Sequence, residues 1–315
     1  MTSPRTRPAS GIQRLGQAAQ LGVVLLALVA LGCRSPRSKP AALTEVFRSE
    51  KLAAIDGAIL QSIASNRCPG GVFWLERNGV VYSKAYGHRS VDPSPEPASL
   101  GTIYDAASLT KVLATAPAVA LLIEKGLVDP EKPLAQYLPA FAAHGKEAIT
   151  VRQVLTHASG LRPGLGGGAW SGSDKALELA CDEKPTHPPD TRFVYSDINF
   201  ILLGKLVEKV SGQTLDAFCE AHLYRPLKMR DTSYRPVLHG VPVDRIAPTE
   251  RRADGTCFRG EVHDPTARKM GGVAGHAGLF TTASDVARFC RMMDAGGILE
   301  GVRVMRPETV GRMIS

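Results

Sequence analysis

The segment Ala106-Ala107-Ser108-Leu109-Thr110-Lys111-Val112 places a serine three residues before a lysine, where a loop enters a helix. Residues three apart on a helix share a face, so the Lys111 amine can reach the Ser108 hydroxyl. A serine hydroxyl is a poor nucleophile at neutral pH, and a neighbouring amine that takes its proton changes that. A helix that starts at the serine adds unpaired backbone N–H groups and a positive dipole end, which favour a developing anion. The run that follows, Val112 to Lys125, is apolar almost all round (Val112, Leu113, Ala116, Val119, Ala120, Leu121, Leu122, Ile123), as expected of a buried helix. The motif is short, however. Roughly one Ser-x-x-Lys arises by chance in such a length, and a helix-capping serine before a solvated lysine has the same spelling.

The elements that must hold this pair are readable in outline. Residues 43–65 carry helical spacing through Leu43, Val46, Phe47, Leu52, Ile55, Ile59 and Ile63. Residues 71–77 and 80–86 read as strands joined by Asn78-Gly79, the strongest short-range hairpin signal. An irregular stretch over 92–99 leads to the serine-bearing helix. Further helices are expected over 149–157, 197–211 (ending near Gly212), 215–222, 284–293 and 307–314, with a short extended piece at 302–305. A polar, Pro-rich loop fills 234–272. The glycine-rich loop 160–168 lacks the Lys-Ser/Thr ending of a phosphate cradle and is expected as a mobile rim.

At 315 residues, 44% hydrophobic and 22% charged, the chain is long enough for a substantial core and is not disordered. Its formal charge is +8, which becomes +5 once Arg5, Arg7 and Arg14 of the leading segment are set aside. The remaining cations are dispersed among acids, so no nucleic-acid partner is expected. The leading segment joins a basic start to an apolar run, Leu21 to Leu31, too short to span a bilayer comfortably. It ends in Ala30-Leu31-Gly32-Cys33, which resembles the cleavage box of bacterial lipoproteins. The expected organisation is a signal peptide over 1–32, a tether over 33–42 lipidated at Cys33, and a folded domain over 43–315. That implies a lipoprotein of the bacterial envelope, facing the periplasm and joined to a membrane by its lipid. Cys68, Cys181, Cys219, Cys257 and Cys290 have spacings of neither a zinc site nor a disulfide framework, and most are expected as buried small hydrophobes. His144, His187, His222 and His239 form no metal spacing. No metal and no cofactor are inferred.

Four segments, in order, now carry a resemblance. Ala107-Ser-Leu-Thr-Lys111 with its buried helix resembles the first motif of the serine β-lactamase and penicillin-binding protein superfamily. Ile149 to Leu161, with Leu155-Thr-His-Ala-Ser-Gly-Leu161, is similar to its "LLTHTSGL" stretch. Phe193-Val-Tyr-Ser-Asp-Ile-Asn-Phe200 resembles the second motif, and Gly275 to Phe289 resembles the helix start "AGGLxSTAxDLARF". The match extends over 45–314 and is nearest to class C-like hydrolases, among them D-alanyl-D-alanine carboxypeptidases and esterases with "YSDIN" and "GEVHD". The resemblance implies an α+β fold of the serine β-lactamase type, an antiparallel sheet flanked by helices with an all-helical region. It also implies that Ser108 is acylated and that Lys111 and Tyr195 form the base network. The Ser108 N–H would supply half of an oxyanion hole.

Two departures from the family pattern stand out. Asp197 occupies the second-motif position where class C β-lactamases have asparagine. An anion there favours the charged form of Lys111, shifts the base role toward Tyr195 and offers substrate an acceptor only. The third motif, Lys-Thr-Gly or His-Thr-Gly on a late strand, has no counterpart up to Ser315. Gly275-His-Ala-Gly is not that motif, because Thr281 to Phe289 aligns with the helix before those strands, and His276 is assigned to the loop or site rim. On this reading the C-terminal sheet strands are missing, the hairpin has little sheet to join, and the chain is a truncated member with weak activity at best. His157 is expected to pin a loop through its ring nitrogens, and His263-Asp264 to lie on the surface, with a place lining the pocket as the alternative. The expected function is hydrolysis of an amide or ester (a D-Ala-D-Ala peptide of peptidoglycan, a β-lactam or a small ester) through acyl-Ser108. The alternatives are a non-catalytic β-lactam or peptidoglycan sensor and an inactive truncated member.

Overall fold

The computed structural model describes residues 42–315, so the predicted signal peptide, tether and Cys33 lie outside the described residues. Asn78 and Gly79 take left-handed backbone angles (φ 52° and 74°), the two conformations that a twist-matched two-residue hairpin turn demands. β1 (Gly70–Arg77) and β2 (Val80–Ser90) pair antiparallel from Arg77↔Val80 to Gly70↔Gly87. β2 runs past the predicted strand and pairs with β3 (Glu96–Pro97), giving a three-stranded sheet. The helix expected over 43–65 is interrupted. α1 (Leu43–Val46) ends at the extended Phe47, and α2 (Ser49–Ala64) starts afresh. α2 lies against β2, where the Asp56 carboxylate accepts the Tyr82 and Tyr86 hydroxyls and pairs with Lys84.

β4 (Tyr104–Asp105) leads into a tight turn, then α3 (Ala116–Glu124), α4 (Val151–Leu155), α5 (Ser173–Asp182), α6 (Asp197–Ser211) and α7 (Leu215–Cys219). α5 is absent from the predicted elements. Its buried face consists of the small Ala176, Ala180 and Cys181, so its apolar period is faint in the sequence. α6 is the centre of the fold. Ser196 caps it by accepting the Asn199 N–H, and Ile198, Phe200, Ile201, Leu202, Leu203, Leu206 and Val207 are all buried. Burial of this kind is worth roughly 1.5–3 kcal/mol per large aliphatic side chain. α6 therefore gives the residues at its N-terminus a rigid mount.

β5 (Ser233–Tyr234), α8 (Pro265–Lys269), β6 (Leu279–Thr281), α9 (Ala283–Asp294), β7 (Ile298–Leu299), β8 (Val302–Arg303) and α10 (Pro307–Ile314) follow. β6 is wholly buried and stands between β4 and β5, antiparallel to both. α9 begins at Thr282, whose side chain accepts the Asp285 N–H. It packs on β1, where the Arg291 Nε lies 2.7 and 2.9 Å from the two Glu76 carboxylate oxygens. The hairpin expected to have little sheet to join is thus held by β3, by α2 and by α9. Of the cysteines expected in the core, Cys181 and Cys219 are buried, Cys68 and Cys257 are half-buried and Cys290 is exposed; all five are free thiols.

Candidate active site

Ser108 does not open an α-helix. Ala107 to Leu109 form a single 3₁₀ turn, Lys111 to Thr115 a wider π-turn, and regular α-helix begins only at Ala116. Ala107 holds a left-handed φ of 46°, a costly conformation for a residue with a Cβ. Asp105 Oδ1 stabilises it by accepting the Ala107 N–H at 2.8 Å. The outcome is an exposed Ser108 above a buried Lys111. Val112 departs from the expected all-round burial of its helix, and both it and Leu109 are more than half exposed. They flank the serine on its open side.

Lys111 Nζ lies 3.0 Å from Ser108 Oγ and 3.2 Å from the His276 carbonyl oxygen, donating to both. It stands 2.7 Å from Asp197 Oδ1, an ionic contact that is not aligned as a hydrogen bond. With the lysine side chain only 3% exposed, a buried cation of this kind needs that carboxylate. Asp197 is the first residue of α6, where the helix dipole also favours an acid. Tyr195 turns its ring to the amine, with 4.6 Å between Nζ and the ring centroid, a cation–π arrangement. Its hydroxyl is not bonded to Ser108 or Lys111 among the described residues. The fold therefore gathers Ser108, Lys111, Tyr195, Asp197 and His276 into one cluster.

His276 lies in the loop before β6, one of its two expected places, but it is buried and not at an open rim. It is 1% exposed, and its Nε2 lies 2.9 Å from Asp264 Oδ1. A carboxylate can only accept, so the ring nitrogen donates. Asp264, expected on the surface with His263, is half-buried and caps α8 by accepting the Ala267 N–H at 2.7 Å. Burial works against its charged form, but the His276 hydrogen bond and charge, with the Ala267 and Thr266 N–H groups, outweigh this and hold the carboxyl below its ordinary range. His263 itself is exposed and pairs with Glu250. The sequence signal for Asp264 is local: an Asp directly before a Pro reads as a helix N-cap followed by N1 proline. Asp197, Asp264 and His276 together bring two carboxylate oxygens and a ring nitrogen within 4.8 Å of one another, with Lys111 supplying positive charge beside them.

His157 pins the approach to α6 as expected. Its Nδ1 accepts the Ser196 N–H at 3.0 Å, and its ring packs on Tyr195 and Phe200. Burial first, then the Lys111 charge, lowers its pKa to about 4, with Asp197 opposing. It is a neutral acceptor at physiological pH.

The Beta-lactamase family model matches residues 55–314. An Escherichia coli (strain K12) protein named "Putative D-alanyl-D-alanine carboxypeptidase" is 33% identical over 328 residues, which cover 91% of this chain and 75% of that protein. A Bacillus subtilis (strain 168) protein named N-acetylmuramyl-L-alanine amidase is 33% identical over 300 residues, 84% of this chain and 68% of that one. The solved octameric penicillin-binding protein homologue from Pyrococcus abyssi has the same fold, with a TM-score of 0.70 at 24% identity, over 84% of this chain and 60% of that chain. Matched along most of its length by the family and by relatives a third identical, the chain belongs to the Beta-lactamase family and has a serine β-lactamase-like fold of helices and antiparallel sheets.

Proposed function

We propose that the chain hydrolyses an amide or ester bond of a peptidoglycan-derived peptide through an acyl-Ser108 intermediate. The observation that carries this reading is an exposed Ser108 hydroxyl 3.0 Å from a buried Lys111 amine that is paired with a carboxylate. Ser108 Oγ attacks the carbonyl carbon and its proton passes to Lys111 in its neutral amine form. The leaving nitrogen or oxygen takes that proton as its bond to carbon breaks, and water then opens the Ser108 ester. Asp197 stabilises the ammonium formed in the first step, and the Tyr195 ring faces the same charge. The names of the Escherichia coli and Bacillus subtilis relatives, both directed at peptidoglycan bonds, support that choice of substrate class.

The test is to incubate the purified chain with a fluorescent penicillin and with p-nitrophenyl acetate. Covalent label on Ser108 and ester turnover are expected, and Ser108→Ala should remove both. Label or turnover that survives Ser108→Ala rejects the reading. A stable label without turnover would instead make the chain a slow-acylating sensor.

A further inference from the structure

The segment from Gly275 to Leu279 is a spacer between the element that carries Ser108 and Lys111 and the helix α6, which carries Asp197. On one side it is fastened to the Ser108 element at four points. The Gly275 carbonyl accepts the Thr115 hydroxyl at 2.7 Å, and the His276 carbonyl accepts Lys111 Nζ at 3.2 Å. The Leu279 N–H donates to Thr110 Oγ1 at 3.1 Å, and its carbonyl accepts the Ala106 N–H at 2.8 Å. On the other side Gly275 presses on α6, so closely that a Cβ there would stand 1.9 Å from the Phe200 carbonyl oxygen. The spacer thus sets how far the Lys111 amine stands from Asp197.

One side chain of this spacer reaches out of it. The buried His276 imidazole is tied to Asp264, and that carboxylate is itself fixed as the cap of α8. Asp197 lies within reach of the same imidazole. Two donors therefore compete for the Asp197 carboxylate, and Asp264 removes one of them from the contest. The groups facing Lys111 are Asp197 from α6, Tyr195 and His157 from the residues around its approach, and His276 with Asp264 from the spacer and α8.

We propose that Asp264 and His276 are positioning residues. Asp264 holds the His276 ring away from Asp197, and the anchored His276 presents its carbonyl to Lys111, so that Lys111 and Asp197 act as an exclusive pair beside Ser108. The inference rests on Ser108 and Lys111 being the reacting groups, and it makes a residue of the α8 cap a determinant of their pH dependence. With Asp264 absent, His276 donates to Asp197, the lysine loses part of its counter-charge and its carbonyl latch loosens.

The experiment compares the wild type with Asp264→Ala and Asp264→Asn, following acylation by fluorescent penicillin and hydrolysis of p-nitrophenyl acetate against pH. Asp264→Ala should slow acylation about 10- to 100-fold, as a small misplacement does, shift the acid limb of the profile to lower pH, and leave KM unchanged. Asp264→Asn, whose amide oxygen still accepts from His276 and Ala267, should recover part of the rate. Rates that fall only in proportion to the folded fraction, with an unmoved profile, overturn the proposal. Ser108→Ala run alongside separates the two readings, since activity that survives it rejects the nucleophile and not the anchor. A second readout needs no activity: the NMR titration of the Lys111 side chain, assigned with Lys111→Arg, should move in Asp264→Ala, and an unmoved titration overturns the anchor.

Discussion

Two lysines among the described residues are almost wholly buried, and their surroundings differ in kind. Lys146 is 0% exposed and donates to three backbone carbonyls, those of Ala143 (2.7 Å), Cys181 (2.9 Å) and Glu183 (2.7 Å). All three ammonium protons are taken by fixed main-chain acceptors near the C-terminus of α5, where the helix dipole welcomes a cation. Burial lowers its proton affinity, and the negative charge of nearby groups only partly restores it. Lys111 gives one donor to a carbonyl, one to a serine hydroxyl, and faces a carboxylate. A cage of neutral acceptors makes a rivet, whereas a set that joins an exposed hydroxyl to a carboxylate suits the base role proposed for Lys111. Burial alone does not distinguish them; the partners do.

Exchanging the two lysines for methionine should break the comparison most visibly. Lys111→Met should lower the rate of Ser108 acylation about a thousandfold or more while the chain stays folded. Lys146→Met should leave three carbonyls without a partner and cost about 3–5 kcal/mol in urea unfolding, with the rate per folded molecule unchanged. If the effects were reversed, the assignment of rivet and base would be wrong. Asp197→Asn sharpens the contrast by making the Lys111 site more like the Lys146 cage. The amine loses the carboxylate beside it, so the rate of acylation should fall about tenfold or more; an unchanged rate would show that Asp197 does not support the amine.

The smallest effect concerns His157, which borders the Lys111 charge. Its pKa is lowered from 6.5 to about 4, so between those values the unfolded chain binds a proton that the folded chain does not. Stability from this group is complete above pH 6.5 and declines as the pH falls toward 4. His157→Asn keeps an acceptor for the Ser196 N–H and tolerates the left-handed φ of 59°. It should flatten the drop in melting temperature between pH 7 and 4.5 by on the order of 5 °C. Parallel curves for the two proteins would reject the linkage.

Features with local signals were legible in the sequence. The Asn78-Gly79 hairpin, the bounds of α6 and the Ser108–Lys111 spacing all follow from residues within one or two turns of each other. The all-round apolarity of Val112 to Lys125 was misleading at Val112 because Lys111 opens a π-turn, which rotates the faces that a 3.6-residue period assigns. Ala107 at positive φ has no sequence mark, since alanine ordinarily avoids that region. Lys146 was invisible for another reason. Its three acceptors are backbone atoms, two of them 35 and 37 residues away, and no side-chain pattern encodes them. The His276–Lys111 contact spans 165 residues and exists only once α6 and β6 have packed.

That span bears on when the protein becomes reactive. The four fastenings between the Ser108 element and residues 275–279 join parts of the chain that synthesis delivers far apart in time, and contacts of such separation form slowly. Until the later segment arrives, Lys111 has neither its carbonyl latch nor a fixed distance to Asp197, and Ser108 is an ordinary surface hydroxyl. A chain that is still growing, or one clipped between α6 and β6, carries the serine in an unarmed form. On the function proposed above, completion of the fold is what arms Ser108, and every incomplete copy carries it unarmed.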